Sequence, residues 1–465
     1  MDYAIPQRLD RLPMSRELWR VLILAGLAWL IESYDIGVIG AILPSVKQDF
    51  GLGSSGQGLV AIASTLGIVV AVIPSGWLAD QIGRKRMLMI GTAWYAIFTA
   101  LTAIAPSAGA LIGLRFLAGL GMGMVFPIPY AIAAEYVSHR LRGAATGWLD
   151  ACLSVGYFLA PLLAFVILPS FSLDGGWRVL CLIGGLPLLY VPLVARWMPE
   201  SARWLVVRGR DEEADRVVRY FEEAVEQRTG TALPSPRDET AVKPEVGRSS
   251  PLLLFSRGYL RRTAMMWIAF PCLLFVFYAV QTYTPTVLLK EGFGHNAFLI
   301  TALIVLVSIP GKFTEAWAVE RYGRKATILA FGIISALSAV LFAFAQLAAI
   351  IIFGGMLLSF FGIGVDPAIK IYGAEQYPTR IRETGVGFIE GVGRLVGGAL
   401  APYIMSLALA GGIAGSYLFV AGVALVGVLA VAVLGTETGG RSLERAARID
   451  VSPDWEAKAA SRMVS

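Results

Sequence analysis

An internal repeat is the feature that most constrains the fold of this chain. The segment GWLADQIGRKR, Gly76 to Arg86, returns in a weaker form as AWAVERYGRKA, Ala316 to Ala326. A second segment, AEYVSHRLRGAATG from Ala134, matches AEQYPTRIRETGVG from Ala374 at the same offset of 240 residues (374 − 134 = 240). Duplicated halves of this length in apolar sequence are typical of transporters built from two repeats.

The composition places the chain in a membrane. Hydrophobic residues make up 56% of its 465 residues and charged residues only 15%, and apolar runs of spanning length recur along it. We therefore expect an all-α membrane protein with twelve transmembrane helices in two pseudo-symmetric bundles of six. The predicted spans, numbered 1 to 12 in chain order, are 18–40, 56–79, 87–105, 109–134, 143–168, 178–198, 263–288, 296–318, 326–345, 348–374, 383–408 and 413–435.

A polar insert separates the two predicted bundles. Acidic and basic residues alternate in its first part, which is typical of an amphipathic helix, and a Pro/Ser/Thr stretch follows. Five regions are predicted: a cytoplasmic N-terminus (1–17), an N-terminal bundle (18–198), a cytoplasmic linker with helices (199–262), a C-terminal bundle (263–435) and a cytoplasmic tail (436–465).

Lysine and arginine placement predicts the orientation. Basic residues crowd the N-terminus, the insert, the tail and the repeated loops, whereas the other loops carry few. Basic loops stay in the cytoplasm, so both termini are predicted inside, in a multi-pass protein of the plasma membrane, here a bacterial inner membrane. The net charge of +6 is thus a topology signal and does not indicate nucleic acid. The first apolar run is long and contains Glu32 and Asp35, so we expect it to be retained as a helix.

The sequence offers nothing that indicates an enzyme. It has no GxxxxGK[ST] segment, and its three cysteines, Cys152, Cys181 and Cys272, fall inside predicted spans, where they pack as small apolar residues. Its two histidines, His139 and His295, fall at loops or helix ends. We expect no catalytic residue, no metal site and no cofactor, and energy supplied by a gradient.

At this point several motifs resemble a known family. They are the repeated loop, the RFLAGLGMG segment that begins at Arg115, the PESARWL segment at Pro199 and the GTETGGRSLE segment at Gly435. Together they resemble the major facilitator superfamily, in the branch that contains sugar porters, organic-ion transporters and bacterial niacin-type or aromatic-acid carriers. The resemblance covers nearly the whole chain, implies a monomer and names no substrate.

The resemblance implies a cytoplasmic gate built from the charges of the repeated loops. In the family these charges hold one bundle against the other in the outward-facing state, and ion pairs of this kind bias a state equilibrium by roughly 1–3 kcal/mol. The alternative is that the loops only carry positive-inside charge. The predicted gate residues are Asp80, Arg84, Glu135 and Arg142, with the repeat mates Glu320, Arg324, Glu375 and Arg382.

Ionisable residues inside the spans are candidates for proton coupling, because such groups usually face a bundle interior or a watery cavity. The SYDIGVIG segment around Asp35 resembles proton-coupled sugar porters, and Arg115 matches the arginine that acts on the titrating carboxylate in that family. The alternative is a permanent structural ion pair. Glu32 is either a second proton site or a cytoplasmic-side helper, and Asp150, the repeat mate of Glu390, is a proton acceptor or a partner to a cation.

Positive charge in the C-terminal half favours an anionic substrate. Arg394 falls near the middle of predicted span 11, in a GVGRLVGGALAPY segment that resembles organic-anion carriers, where this arginine contacts the substrate. The alternative is a local pair with Glu390, four residues earlier. Lys370 in predicted span 10 also favours an anion, or else pairs with Asp366.

Predicted span 7 departs from the amide-rich pattern of sugar porters. It carries Gln281 among aromatic residues, which suit a flat ring but are also ordinary membrane packing. The substrate-site candidates here are Phe275, Tyr278, Gln281 and Tyr283. Together with Arg394 and Lys370, their acidic neighbours Glu390 and Asp366 are also predicted to belong to the substrate site.

These observations predict a secondary active transporter that moves a small organic anion, such as an aromatic monocarboxylate of the nicotinate or benzoate type, by alternating access with proton symport. Its predicted partners are the anion, the proton and the lipid bilayer. The alternatives are a proton-coupled sugar or polyol porter, a drug or metabolite exporter, and a membrane sensor of the same fold that binds its ligand without transporting it.

Overall fold

A computed structural model of the chain describes residues 5–138, 141–171, 173–235, 251–377 and 379–438. Every regular element in this part of the chain is helical. The spans of the N-terminal half are Arg16–Asp49, Ser54–Ile82, Arg84–Thr102, Ala108–Val125 continued by Ile128–Tyr136, Arg142–Ile167, and Leu173–Ile183 continued by Tyr190–Trp197. The spans of the C-terminal half are Arg257–Lys290, Asn296–Leu306 continued by Ser308–Tyr322, Arg324–Phe344, Ala348–Leu358 continued by Asp366–Glu375, Thr379–Gly393 continued by Ala401–Ala410, and Ile413–Leu434.

These twelve spans confirm the predicted all-α membrane fold. Among the described residues, eleven are long and apolar enough to cross a membrane by composition alone. Span 3, Arg84–Thr102, is the exception, because its first turn consists of three basic residues. It nevertheless packs closely in its bundle, where a side chain added at Gly91 would collide with Met124 and Val125 of span 4.

Two spans contain a wider π-helical turn near their middle. Span 10 has one at Ser359–Ile363 and span 11 has one at Arg394–Leu400. Such turns shift the direction of the side chains that follow them and are frequent at functional sites. Arg394 is the first residue of the second one, so its direction is set by this irregularity.

The two bundles contact each other at the end opposite Arg84 and Arg324; we call the end that carries these arginines the basic end. At the opposite end, the Ser406 hydroxyl donates to the Ser54 carbonyl at 2.7 Å. The His295 ring of span 8 stacks on Phe165 of span 5, with the ring centroids 4.7 Å apart. Close backbone contacts between spans 1 and 7 continue this interface toward the middle.

The linker forms helices that pack on the N-terminal bundle. Helix α2 is Ala202–Val207 and helix α3 is Asp211–Thr229, and a short helix α1, Ile5–Asp10, precedes span 1. The buried residues of α3 recur at helical spacing and include Val218 and Phe221, so α3 has the amphipathic face that its sequence predicts. Span 7 begins at Arg257, earlier than the predicted start at 263.

Ion pairs fix α1 to α3. The Arg8 guanidinium contacts Asp215 at 2.6 Å, and Arg8 and Arg11 both contact Glu222. The hydrogen bond from Arg8 holds the pKa of Asp215 below its usual value. Nearby, Trp204 Nε1 donates to the Asp80 carbonyl at 2.7 Å, which ties α2 to the end of span 2.

Candidate functional site

A fully buried ion pair lies in the middle of the N-terminal bundle. Arg115 Nη1 contacts Asp35 Oδ1 at 3.0 Å, and the two side chains are 0% and 1% exposed. Arg115 also donates to the Asp35 carbonyl at 3.1 Å and to the Ser64 hydroxyl at 2.9 Å. The pairing inferred from the two sequence segments is therefore present, and the arginine is well satisfied.

Unpartnered polar atoms surround this pair. Asp35 Oδ2, both carboxylate oxygens of Glu32 and the Tyr95 hydroxyl are buried and make no hydrogen bond within the described part of the chain. Buried polar groups are normally paired, so such atoms mark a place where a proton, water or ligand is accommodated. Glu32 lies near enough to Arg394 to feel its charge, so this region borders the interface between the bundles.

Arg394 projects from span 11 across the bundle interface. Its guanidinium lies over the ring of Phe126, 3.7 Å from the centroid, and Phe126 belongs to the N-terminal bundle. Arg394 Nε is 3.2 Å from Glu390 Oε2, but neither atom makes a hydrogen bond of good geometry there. The local pair considered for Arg394 is thus present as a charge contact, and the single N–H donor of Nε is left unused.

Aromatic rings line the interface on both sides of Arg394. Tyr157 of span 5 packs edge-on against Phe277 of span 7 at 5.3 Å, and Phe277 packs against Tyr278 at 5.2 Å. Trp29 contacts Tyr130 at 4.3 Å. Tyr157 and Tyr278 both lie near enough to Arg394 to interact electrostatically with its guanidinium. A flat anion held by Arg394 would therefore meet aromatic faces or edges from both bundles.

A second group of charges lies between span 5 and spans 8 and 10. Lys370 Nζ contacts Asp366 Oδ2 at 2.7 Å, so the local pair is the arrangement that the structure has. The Tyr130 hydroxyl donates to Asp150 Oδ1 at 3.2 Å. Lys312 in span 8 lies near enough to Asp150 and Asp366 to interact electrostatically with both carboxylates. Lys370, which the sequence predicted to bind an anionic substrate, is thus already paired with Asp366.

Sequence reasoning missed Lys312 and Glu315 of span 8. Both are buried, at 8% and 0% exposed. The rule that selected Asp35 and Arg115, a charge inside an apolar run, would have found them too. Both lie inside predicted span 8, 296–318, but close in sequence to the charged loop at its end, and only the charges of that loop were considered from the sequence.

The four candidates of span 7 point in different directions. Tyr278 faces Arg394, and Gln281 lies against Gly37 of span 1 with its side-chain oxygen unpartnered. Phe275 instead packs on Phe419 at 5.6 Å, inside the C-terminal bundle. Tyr283 donates to the Pro402 carbonyl at 2.7 Å and is fully buried. The structure does not bring Phe275 and Tyr283 to the interface, because the helix turns them toward spans 12 and 11.

The gate candidates form matching ion pairs within each bundle. Arg84 Nε contacts Glu135 at 3.0 Å in the N-terminal half, and Arg324 Nη2 contacts Glu375 at 3.0 Å in the C-terminal half. Asp80 adds a 2.7 Å contact to Arg84 but is 69% exposed. The other candidates differ: Glu320 is exposed and makes no ion pair with a described residue, and the side chains of Arg142 and Arg382 lie outside the described residues.

Two carboxylates that sequence reasoning did not assign cap the basic ends of spans 3 and 9. Glu200, of the PESARWL segment, accepts from the Lys85 amide at 3.1 Å. Glu437, of the GTETGGRSLE segment, accepts from the Arg324 and Lys325 amides at 2.9 and 3.0 Å. A carboxylate at a helix N-terminus satisfies free amides and the helix dipole. These motif residues therefore stabilise the repeated loops.

Comparison with known proteins places the chain in a family. It matches the family described as "Sugar (and other) transporter" over residues 21–449. It is 32% identical to the niacin transporter NiaP of Acinetobacter baylyi over 442 residues, which cover 94% of this chain and 98% of that protein. It is 29% identical to the 4-hydroxybenzoate transporter PcaK of Pseudomonas putida over 396 residues, which cover 83% of this chain and 85% of the relative.

Solved structures agree on the fold. The inward-open xylose transporter XylE of E. coli superposes with a TM-score of 0.74 at 17% identity and covers 92% of this chain and 98% of that chain. A D-xylose–proton symporter superposes with a TM-score of 0.70 at 19% identity and covers 92% and 99%. At such identities the likeness shows the fold alone. Its fold and its relatives are those of transporters, which are not enzymes, and the chain belongs to the sugar (and other) transporter family of the major facilitator superfamily.

Proposed function

We propose that this protein is a secondary active transporter that carries a small aromatic monocarboxylate, of the nicotinate or benzoate type, together with a proton. The observation that carries the proposal is Arg394. Its side chain is 7% exposed, lies at the bundle interface and has a cation–π contact plus one poorly aligned carboxylate. A buried guanidinium whose Nε–H donor is unused can bind a planar carboxylate.

The surrounding rings support an aromatic substrate. Tyr278 and Tyr157 come from opposite bundles and both lie near enough to Arg394 to interact with its charge, so a ring bound there would lie close to both bundles. The relatives agree with this chemistry, since their names specify niacin and 4-hydroxybenzoate, both small aromatic molecules. A sugar is less well supported, because the site has one amide side chain in span 7 where a polyol needs several.

The interface contacts support alternating access. The hydrogen bonds that join the bundles, such as Ser406 to Ser54, lie at the opposite end. The ion pairs at the basic end, such as Arg84 with Glu135, each stay within one bundle. Among the described residues, the bundles contact each other at that opposite end and in the middle, so they can rock about the site, and the structure then corresponds to a state that opens toward the basic end. We propose that this end faces the cytoplasm, in agreement with the positive-inside rule.

Proton coupling is proposed for the Asp35–Arg115 region. Asp35 has one oxygen bound to Arg115 and one free, so it can accept a proton without leaving the pair. Glu32 lies between this pair and Arg394 and belongs to the same proposed path. Asp150 is bound by Tyr130 and has lysine neighbours, which favours the role of partner to a cation.

The test is uptake of labelled nicotinate and benzoate into proteoliposomes with an inward proton gradient. Wild-type protein should accumulate one of the two acids, and dissipating the gradient should abolish accumulation. Arg394→Ala should lower affinity by about 30-fold or more, equivalent to about 2 kcal/mol for a lost charge-assisted contact. Arg216→Ala is the matched control, because Arg216 is exposed on α3 and bonds only within its own helix. Equal uptake by Arg394→Ala and wild type would remove the basis of the proposal.

A further inference from the structure

We propose that Glu315 of span 8 is a second proton-binding site, which is protonated when the anionic substrate binds and deprotonated when it leaves. This rests on the proposed function, because it assumes a carboxylate substrate near Arg394. The step forms one O–H bond on the Glu315 carboxylate with a proton from water on the side of entry. The same bond breaks on the side of release, where water takes the proton.

The surroundings of Glu315 make a permanent negative charge costly. The residue is 0% exposed, and neither carboxylate oxygen makes a hydrogen bond of good geometry within the described residues, although the Ala368 amide lies near. An isolated buried carboxylate is unfavourable, whereas its protonated form is neutral and costs much less to bury. Lys312, one helical turn earlier, forms no ion pair with a described residue, so it does not neutralise Glu315 by direct contact.

The charged groups near Glu315 come from spans 5, 8 and 10. Span 8 itself supplies Lys312, span 5 supplies Asp150, and span 10 supplies Asp366 together with its partner Lys370. With Glu315 protonated, these two lysines and two aspartates balance. With Glu315 ionised, the buried group carries one negative charge in excess.

This balance is linked to the substrate through Arg394. Arg394 lies near enough to Asp366 to interact with it electrostatically. Its positive charge therefore helps to keep the carboxylates around Glu315 ionised. A substrate carboxylate bound to Arg394 cancels much of that field. The excess negative charge then becomes more costly, and protonation of Glu315 removes it. Anion binding and proton uptake are thereby coupled across the interface.

The repeat mate of Glu315 in the N-terminal half carries no charge. Asp35 already has Arg115 at 3.0 Å, whereas Glu315 has no cation in contact. Position 75, which is 240 residues before Glu315, holds Ser75 bonded to the Val72 carbonyl. The N-terminal half therefore has no carboxylate at the position that corresponds to Glu315, and its own unpartnered carboxylate, Glu32, lies elsewhere, near Asp35.

The experiment measures protons taken up as substrate binds. Purified full-length protein in weakly buffered detergent solution, with a pH indicator, is titrated with nicotinate and benzoate, while binding is followed separately by labelled ligand. Wild type should take up protons in proportion to the anion bound. Glu315→Gln should bind the anion but take up about one proton fewer per anion. The control Glu291→Gln, an exposed carboxylate just after span 7, should match wild type.

A substrate-exchange assay and a second variant test the assignment of Glu315 independently. Glu315→Gln should retain exchange of labelled for unlabelled substrate across proteoliposomes, because exchange needs no net proton movement. Lys312→Met should also lower the proton count, since Glu315 is then already protonated before the anion arrives. An unchanged count in Glu315→Gln, or loss of exchange with binding intact, would overturn the assignment. Wild type that binds neither acid would instead overturn the proposed function and this inference with it.

Discussion

The two halves of the molecule are nearly copies at the basic end. Arg84 contacts Glu135 and Arg324 contacts Glu375, each at 3.0 Å and each inside its own bundle. In both halves a carboxylate from a later segment caps the helix that starts with the arginine. The duplication therefore retains the parts that build and join the spans.

The halves differ in the middle of the membrane. The N-terminal half buries a satisfied pair, Asp35 with Arg115, near the unpartnered carboxylate of Glu32. The C-terminal half buries Lys312, Glu315 and Arg394, none of which has a well-formed ionic hydrogen bond with a described residue. The comparison teaches that the repeats diverge in the charges buried in the middle of the membrane, and we place the substrate and the second proton among those of the C-terminal half.

Breaking the satisfied pair should have the largest effect. Arg115→Met leaves the Asp35 carboxylate buried without its cation, which should cost about 3–5 kcal/mol of stability. Thermal and denaturant unfolding of the detergent-solubilised protein would measure it. The double variant Asp35→Asn with Arg115→Met should recover most of the loss, because a neutral buried group needs no cation. A single-variant loss below about 1 kcal/mol would contradict the pairing.

Neutralising Glu135 or Glu375 tests how similar the contributions of the two ion pairs to stability are. Glu135→Gln and Glu375→Gln should each cost about 1–3 kcal/mol in the same unfolding measurement. The loss should be larger for Glu375, because it also accepts from the Thr438 hydroxyl at 2.6 Å, whereas Glu135 Oε2 is unpartnered. A larger loss for Glu135 would show that the linker, not the ion pair, dominates stability at this end.

The two capping carboxylates should have smaller effects. Glu200→Ala and Glu437→Ala each expose amides at the first turn of span 3 or span 9, at a cost of about 0.5–2 kcal/mol. Hydrogen exchange at the Lys85 and Lys325 amides would report the change locally. Protection that stays as in wild type would mean that another group takes over the amides.

The smallest effect is expected at the exposed ends of the two loops. Asp80 is 69% exposed, so Asp80→Asn should cost less than about 1 kcal/mol, and high salt should erase the difference. Glu320→Gln should leave stability unchanged, since Glu320 makes no ion pair with a described residue. A larger loss of stability for Glu320→Gln than for Asp80→Asn would contradict the difference described between the two loops.

Much of the fold and part of the site could be predicted from the sequence. Hydropathy and the repeat predict the spans, since burial in lipid demands long apolar helices. The i, i+4 spacing predicts the Lys370–Asp366 contact, because such residues share a helix face. The Asp35–Arg115 pair follows from two segments whose depths in the membrane agree.

The rest depends on the rotation of each helix about its axis, which sequence spacing alone does not set. Tyr278 faces the interface while Phe275 packs on Phe419, and only the neighbouring spans decide which face turns inward. The wider turn that begins at Arg394 changes the direction of the side chains after it, and no sequence motif predicts this turn. Lys312 and Glu315 were missed because they lie close to a basic loop in sequence and are nevertheless buried.

Gly83 and Gly323 end spans 2 and 8 with positive φ angles, 101° and 93°, which favour glycine. A side chain at either position would also collide with the capping carboxylate, Glu200 or Glu437. Each glycine is thus held by two independent constraints, one of which disappears if its glutamate is lost. In descendants of this chain the glycine of each half should therefore persist after its glutamate is lost, because the positive φ angle still requires it, whereas a side chain at the glycine position should appear only where the glutamate is gone.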